Sequence, residues 1–267
     1  MLIDFERSIV DRRRFLANGG GNHIERKALS RSRVYRVVKH LAGESRDAAK
    51  NANLFLALLK TRRPRPVVVS VGGATRGLGS DQLWTDPQIE LISFDIYDSP
   101  NVHFLADAHD IPLPDGSVDG VWIQAVLDHV LEPAQVVSEI HRVLGPEGLV
   151  YAETPFMQQV HEFQHDFFRV SHSAHRWLFR GFDELKSGPV GGAGTALNWS
   201  IKYLVWCLTG SRTASRVTSL CFAWLQLLDG LGPRRRRLDS ACGFYFLGRR
   251  SETALAPQDM VAYYDSQ

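Results

Sequence analysis

The stretch "PVVVSVGGATRGLGS", Pro66–Ser80, decides how the rest of the chain is read. Val67 to Val71 are valines interrupted only by Ser70, a β-branched run that suits a strand buried on both faces of a parallel sheet. It runs directly into Gly72 and Gly73, with Gly77 and Gly79 just beyond. Glycines after a buried strand let the backbone approach a ligand closely, and a following helix N-terminus favours polar or anionic groups. The spacing does not match G-x-G-x-x-G, so the turn predicts a binding crevice only together with its neighbours.

Those neighbours repeat the pattern. "IELISFDIYD" (Ile89–Asp98) reads as a second strand, "NVHFLADAHD" (Asn101–Asp110) as a short third, "SVDGVWIQAV" (Ser117–Val126) as a fourth and "GLVYAETPF" (Gly148–Phe156) as a fifth. Between the last two, "PAQVVSEIHRVL" places Val136, Val137, Ile140, Val143 and Leu144 on one helical face. Strands alternating with helices or crossovers predict a mostly parallel sheet covered on both faces. Asp95 ends the second strand roughly 20 residues beyond the glycine turn, where a carboxylate accepts hydrogen bonds from ribose hydroxyls. Asp107 and Ala108 end the third strand, placed to reach an adenine edge. All of these positions fall at the carboxyl ends of strands, where open α/β sheets bind ligands.

The bulk properties bound this reading. A chain of 267 residues builds one well-buried domain with an appendage, or two small domains. With 44% hydrophobic and 22% charged residues it has ordinary globular composition, and a net charge of +2 implies no nucleic-acid partner. Arginines do cluster, at Arg12–Arg14, Arg62, Arg63 and Arg65, and Arg234–Arg237, as solvated charge or as a face for anions. Three scattered cysteines point to a reducing compartment, and the first residues carry no apolar signal core, so a cytoplasmic location is expected. The most apolar segment, "SLCFAWLQLLDGL" (Ser219–Leu231), is shorter than the roughly 20 residues a membrane span needs.

The expected organisation is a helical appendage over 1–62, an α/β domain over 63–252 and a flexible tail over 253–267. In the appendage Val34, Val37, Val38 and Leu41, then Leu54, Phe55, Leu58 and Leu59, recur at helical spacing until "RRPRP" stops propagation. "DELKSGPV" and "ACGFYFLGRR" supply a sixth and a seventh strand, separated by an apolar helical insertion at about 195–235.

Taken in order, the motifs from Phe94 to Phe156 make the chain recognisable. The run resembles the class I S-adenosylmethionine-dependent methyltransferases of the type 11 group, through an acid-ended strand, "ADA", "IPLPDGSVDGV", "VLDHV" and "EIHRVLGPEG" at the group's separations. The resemblance implies a Rossmann-like, seven-stranded, mostly parallel sheet with helices on both faces and S-adenosyl-L-methionine as cofactor. It assigns Gly72, Gly73 and Gly77 to the methionine and ribose side, Asp95 to the ribose hydroxyls and Ile96 to packing on adenine. Asp107 and Ala108 fall at the adenine edge, and Gln124 and Ala125 beneath the methionine part. Leu127-Asp128-His129 stands where the group commonly has Leu-Glu-His. There are departures: Ser70 replaces an acidic residue that helps anchor the methionine amino group, Ala74 replaces the loop's third glycine, and "GPEG" replaces "KPGG". A relative that binds the cofactor without catalysis therefore stays open.

"VHEFQHDFFRVSHSAHRW", Val160–Trp177, also satisfies H-E-x-x-H, the zinc-hydrolase signature. That chemistry needs both histidines on one helix face and a third ligand. In the extended zinc motif Phe168 occupies the glycine position and Ser171 the last histidine position. Because the segment follows the fifth strand and resembles the lid of some type 11 relatives, an acceptor-side lid with no metal is expected instead. His161 is the first candidate base, followed by His129 and His165, since imidazole titrates near neutrality. Asp166 and Arg169 are expected to bind substrate or orient the base, while Phe167, Phe168 and Trp177 are expected in the core. The predicted reaction is methyl transfer to oxygen of a small-molecule, saccharide or lipid-linked acceptor. The apolar insertion ahead of Arg234–Arg237 suits a peripheral membrane contact, a homodimer interface or core packing.

Overall fold

The computed structural model describes residues 44–161 and 165–267. In chain order the elements are α1 (Glu44–Lys60), β1 (Val67–Val71), α2 (Asp81–Thr85), β2 (Glu90–Asp95), β3 (Phe104–Leu105), β4 (Val118–Gln124), α3 (Pro133–Val143) and β5 (Leu144–Pro155). Then follow α4 (His172–Leu178), β6 (Phe182–Val190), α5 (Ala193–Thr209), α6 (Arg212–Cys221), a 3-10 turn (Ala223–Leu228), α7 (Arg234–Asp239), β7 (Gly243–Arg250) and α8 (Asp259–Asp265).

The strands form one seven-stranded sheet in the order β3-β2-β1-β4-β5-β7-β6. β7 runs antiparallel to both neighbours and every other pair is parallel. This is the Rossmann-like sheet expected from the sequence. β1, buried at all five residues, pairs with β2 on one side and β4 on the other. The strand order reverses there, which opens a crevice beyond its carboxyl end.

Both faces of the sheet are covered. On one, α3 buries Val136, Val137, Ile140 and Val143 against Val69, Phe94 and Ile123 of the sheet. Pro133 starts α3 where a missing N–H costs nothing, and extended backbone at Leu144 turns its end directly into β5. On the other face α1 places Phe55, Leu56 and Leu59 against Val68, Trp122 and Tyr151. The Trp122 and Tyr151 rings stack at 3.9 Å, with Phe55 edge-on to Trp122 at 5.7 Å.

That packing runs across the boundary expected at residue 62. Burying Phe55, Leu56 and Leu59 contributes about 1.5–3 kcal/mol each, together comparable to the stability of a whole domain. α1 therefore belongs to the α/β domain. The expected helix around Val34, Val37, Val38 and Leu41 lies outside the described residues.

The segment 253–267, expected as a flexible tail, lies against the domain. The backbone N–H of Leu255 donates to Arg180 O at 2.8 Å, and α8 docks through side chains. Tyr263 Oη lies 3.0 Å from His172 Nε2, and Tyr264 Oη donates to Asp239 at 3.0 Å. Polar anchors of this kind leave no hydrophobic periodicity to read.

The insertion before β7 exists as expected, but as a hairpin. α5 ends at Gly210 (φ 64°), Ser211 caps α6, and a 3-10 turn returns the chain toward α7. Asp229 ties the return to the start of α5 by accepting from the Thr195 N–H and hydroxyl. Much of the hairpin's apolar surface stays exposed, at Leu204, Trp206, Leu208, Trp224, Leu227 and Leu231. Among the described residues, no helix is long and apolar enough to cross a membrane.

Candidate active site

A cavity of about 520 Å³ opens at the carboxyl ends of β1, β2, β4 and β5. Its volume lies in the range of small-molecule and cofactor sites. One wall is made of strand ends. Gly72 lies on it with φ 74°, and its N–H and that of Gly73 both donate to Phe94 O at 3.0 Å. A Cβ on Gly72 would stand 2.3 Å from Val126 Cγ2, and one on Gly77 would stand 2.0 Å from Gln124 Oε1. Both glycines are thus needed where the wall is tightest.

Gly73 departs from its expected role. It does not line the cavity, and its missing Cβ makes room for Ser93 Cβ of β2, which would otherwise stand 2.8 Å away. Its smallness serves strand-to-turn packing.

Asp95 lies on the wall, buried, where β2 ends. Its Oδ2 accepts the Ala74 N–H at 2.9 Å and its Oδ1 the Tyr97 N–H at 3.0 Å, so one carboxylate holds two loops in place. Ile96 presents an apolar side chain that is 55% exposed, a surface that needs a flat partner to be covered. Asp107 and Ala108 also line the wall, and Asp107 Oδ1 accepts the His109 N–H at 2.9 Å. Beneath, β4 ends in Gln124 and in Ala125, whose φ of 53° is unusual for a residue with a Cβ. Such backbone costs about 1–3 kcal/mol and is held here by the Ala125 N–H donating to Glu153 O at 3.0 Å.

Glu153 was missed in the sequence. It ends β5 on the cavity wall, receives Gln124 Nε2 at 2.7 Å and accepts from the Tyr151 hydroxyl. Ser70, buried within β1, does not line the cavity. The carboxylate that the resemblance places at Ser70 thus has a counterpart two strands away. Its signal was the acid at the end of the fifth strand, in "YAETP".

The opposite wall gathers the histidines. His129, His161 and His165 all line the cavity. Behind them lies Asp128, fully buried, with neither carboxylate oxygen hydrogen-bonded. Its Oδ2 stands 3.3 Å from His129 Nε2 and 3.5 Å from His161 Nε2. Burial pushes the Asp128 carboxyl above its ordinary range, and burial also pushes His161 below the ordinary imidazole value. His129 Nδ1 lies 2.8 Å from the His165 carbonyl oxygen. Asp128 was noticed in the sequence only as a variant of a motif position. Its contact with His161, across 33 residues of chain, has no local sequence signal.

Asp166 and Arg169, expected to bind substrate or to orient the base, do not line the cavity but lie against His161. Arg169 Nη2 donates to Asp166 Oδ2 at 2.6 Å, Nε to Gln158 O at 3.0 Å, and Nη1 to Asp166 Oδ1. Burial opposes ionisation of Asp166, but the hydrogen bonds from Arg169 and from the His161 N–H hold it down to about 2. The pair is a brace that fixes the loop carrying His161. Phe167, Phe168 and Trp177, expected in the core, are 42%, 37% and 36% exposed. The segment around His161 is irregular where described, with residues 157–161 and 166–171 outside any helix. Two histidines four apart therefore do not share a helix face, as the zinc-hydrolase reading requires.

Comparison with known proteins agrees with this architecture. Residues 85–152 match the methyltransferase domain family. A malonyl-acyl-carrier-protein O-methyltransferase from Laribacter hongkongensis is 26% identical over 139 residues, covering 52% of this chain and 46% of that protein. A protein of Mycolicibacterium smegmatis named as a probable S-adenosylmethionine-dependent methyltransferase is 34% identical over 93 residues, covering 31% of this chain and 36% of that one. The chain spans less than half the length of the curated relatives it matches. In fold it is similar to the solved structure of a candidate sarcosine dimethylglycine methyltransferase from Galdieria sulphuraria, at TM-score 0.50 and 14% identity over 76% of this chain and 85% of that one.

Proposed function

We propose that this chain, which carries a class I methyltransferase domain of the type 11 group, transfers a methyl group from S-adenosylmethionine to an oxygen of a small-molecule acceptor. The observation that carries the reading is a single cavity with Gly72, Asp95 and Ile96 on one wall and three histidines on the other. S-adenosylmethionine supplies an electrophilic methyl group on sulfur. Asp95 binds the ribose hydroxyls, Ile96 covers the adenine, and Glu153 receives the methionine ammonium in place of the acid absent at Ser70.

The acceptor then enters against His129 and His161. Methylating a hydroxyl forms an O–C bond, breaks the C–S bond with its electron pair left on sulfur, and releases one proton. That proton leaves at the Asp128–His129–His161 cluster, with His161 the member most open to an entering group, at 26% side-chain exposure against 17% for His129. His165 contributes its carbonyl to hold His129, a positioning role. Positioning the two reactants supplies most of the acceleration for such a displacement. The O-methylating relative from Laribacter hongkongensis supports oxygen as the acceptor atom. The exposed apolar hairpin, with Arg212 and Arg216 on it, extends the reading to a lipid-linked acceptor held at an anionic membrane surface.

Calorimetry with S-adenosylmethionine and its demethylated product tests the first half. Saturable binding of both is expected, and no heat at high micromolar ligand would overturn the reading. Incubation with methyl-labelled cofactor and a panel of hydroxylated acceptors tests the second half. Binding without label transfer to any acceptor would favour a cofactor-binding relative that does not catalyse.

A further inference from the structure

We propose that Asp128, His129 and His161 form a divalent-cation site at the acceptor end of the cavity, which takes zinc or a similar first-row ion and through it an acceptor oxygen. The role of the acceptor rests on the methyl-transfer reading; the ion site stands on its own geometry.

Each residue offers one ligand atom, and the three atoms lie within 4.8 Å of one another. Ligands about 2.1 Å from a tetrahedral ion stand roughly 3.4 Å apart. The separations of Asp128 Oδ2 from the two Nε2 atoms, 3.3 and 3.5 Å, bracket that spacing. The two imidazole nitrogens, within 4.8 Å of each other, close toward each other to complete it.

The hydrogen bonds behind the cluster decide what the ring nitrogens present. The His165 carbonyl can only accept, so His129 carries its proton on Nδ1. His161 Nδ1 stands 3.3 Å from Asp166 Oδ2 and 3.4 Å from Arg169 Nη2. His129 thus turns a bare Nε2 toward Asp128, and His161 does so in the tautomer whose proton sits on Nδ1 beside the Asp166 carboxylate, which an ion at Nε2 would select. A carboxylate on one side and a carbonyl on the other are the outer partners that metal-bound histidines use to fix their tautomer.

The two Nε2 atoms thus stand 3.3 and 3.5 Å from one oxygen of a fully buried carboxylate. Burying that charge without a counter-charge is unfavourable, and a cation at the centre supplies one. Two nitrogens and one oxygen suit zinc, cobalt, iron or manganese better than magnesium, which prefers an all-oxygen shell. Three protein ligands leave positions open toward the cavity that His129 and His161 line. A hydroxyl bound there loses its proton at a lower pH than when free; with the ion in place that proton passes to water instead of to the coordinated His161, and the oxygen is held for methyl transfer. An acceptor with two adjacent oxygens fits the open positions best. The H-E-x-x-H spacing is not what the site uses: His161 is a ligand, but its partners come from the turn after β4, and His165 acts through its carbonyl.

The test uses the full chain stripped with a chelator and then titrated with Co²⁺, read by visible absorption, and with Zn²⁺, read by calorimetry. One equivalent of each ion is expected, with d–d bands for Co²⁺ and no heat from Mg²⁺. His161→Ala should abolish both signals, and Asp166→Asn should weaken binding by about 10–100-fold through the lost outer contact. If His161→Ala does not fold by circular dichroism, Asp166→Asn alone carries the variant test. No bands and no heat with the wild-type chain at millimolar ion would overturn the site in favour of a shared proton, as would equal affinity in the folded variants. Cofactor calorimetry on the stripped chain separates the two readings. Co²⁺ binding without S-adenosylmethionine binding sinks the methyl-transfer reading alone, and the reverse sinks the ion site alone.

Discussion

The two walls of the cavity are built from different material. On the cofactor side, Gly72, Asp95 and Gln124 sit at the ends of β1, β2 and β4, so their positions follow from sheet register. On the acceptor side, Asp128–His129 and His161 stand on irregular chain and are held by side chains, chiefly Asp166 and Arg169. The first wall inherits its rigidity from the fold. The second has to build its own, with a half-buried ion pair and a carbonyl acceptor. Changes on the first wall should therefore act on binding and folding together, whereas changes on the second should alter chemistry and leave cofactor affinity intact.

The strongest way to sharpen that contrast is Asp95→Ala. It removes the proposed ribose acceptor and the anchor of the Ala74 and Tyr97 N–H groups. Charge-assisted hydrogen bonds contribute about 1.5–3 kcal/mol each, so S-adenosylmethionine affinity measured by calorimetry should fall at least about 100-fold. His161→Ala in the same assay should leave it within about twofold. Equal losses in both variants would break the comparison.

Gly72→Ala comes next. A Cβ there meets Val126 Cγ2 at 2.3 Å, on backbone with φ 74°. The strain should cost about 2–4 kcal/mol, read as a lowered denaturant midpoint with unchanged slope.

α4 holds a separate titration effect. Burial, and then the neighbouring His172, push His175 down from 6.5 to about 3. The folded chain refuses a proton that the unfolded chain accepts, so stability is full above pH 6.5 and drains as pH falls toward 3. His175→Phe should flatten that part of the stability–pH curve, measured by denaturation across the window.

The smallest effect is expected on the exposed hairpin. Trp224 and Leu227 are 56% and 76% exposed, so Trp224→Ser with Leu227→Ser should change stability by no more than about 0.5 kcal/mol. Sedimentation with anionic vesicles should nevertheless fall to background if the hairpin meets a membrane.

Legibility in the sequence followed the same division. The valines of β1, the acid of β2 and the helical stripe Val136–Val143 signal their positions locally, because strand and helix periods dictate which face is buried. α1 was legible as a helix but not as part of the sheet's cover, since an amphipathic pattern does not say which surface will receive it. α8 was read as flexible because its docking uses Tyr263 and Tyr264 hydroxyls rather than an apolar stripe.

By itself the sequence determined the mostly parallel sheet and the strand-end positions expected to face a nucleoside, since these depend on local periodicity and on residues at strand ends. Tertiary structure alone decided the rest. It brought Glu153 to the cavity wall, spent Asp166 and Arg169 as a brace, and gathered Asp128, His129 and His161 around one point. Those arrangements depend on side chains from separate loops meeting in space. Hydrogen-bond direction and desolvation act there only after the chain has closed, and neither leaves a period along the sequence.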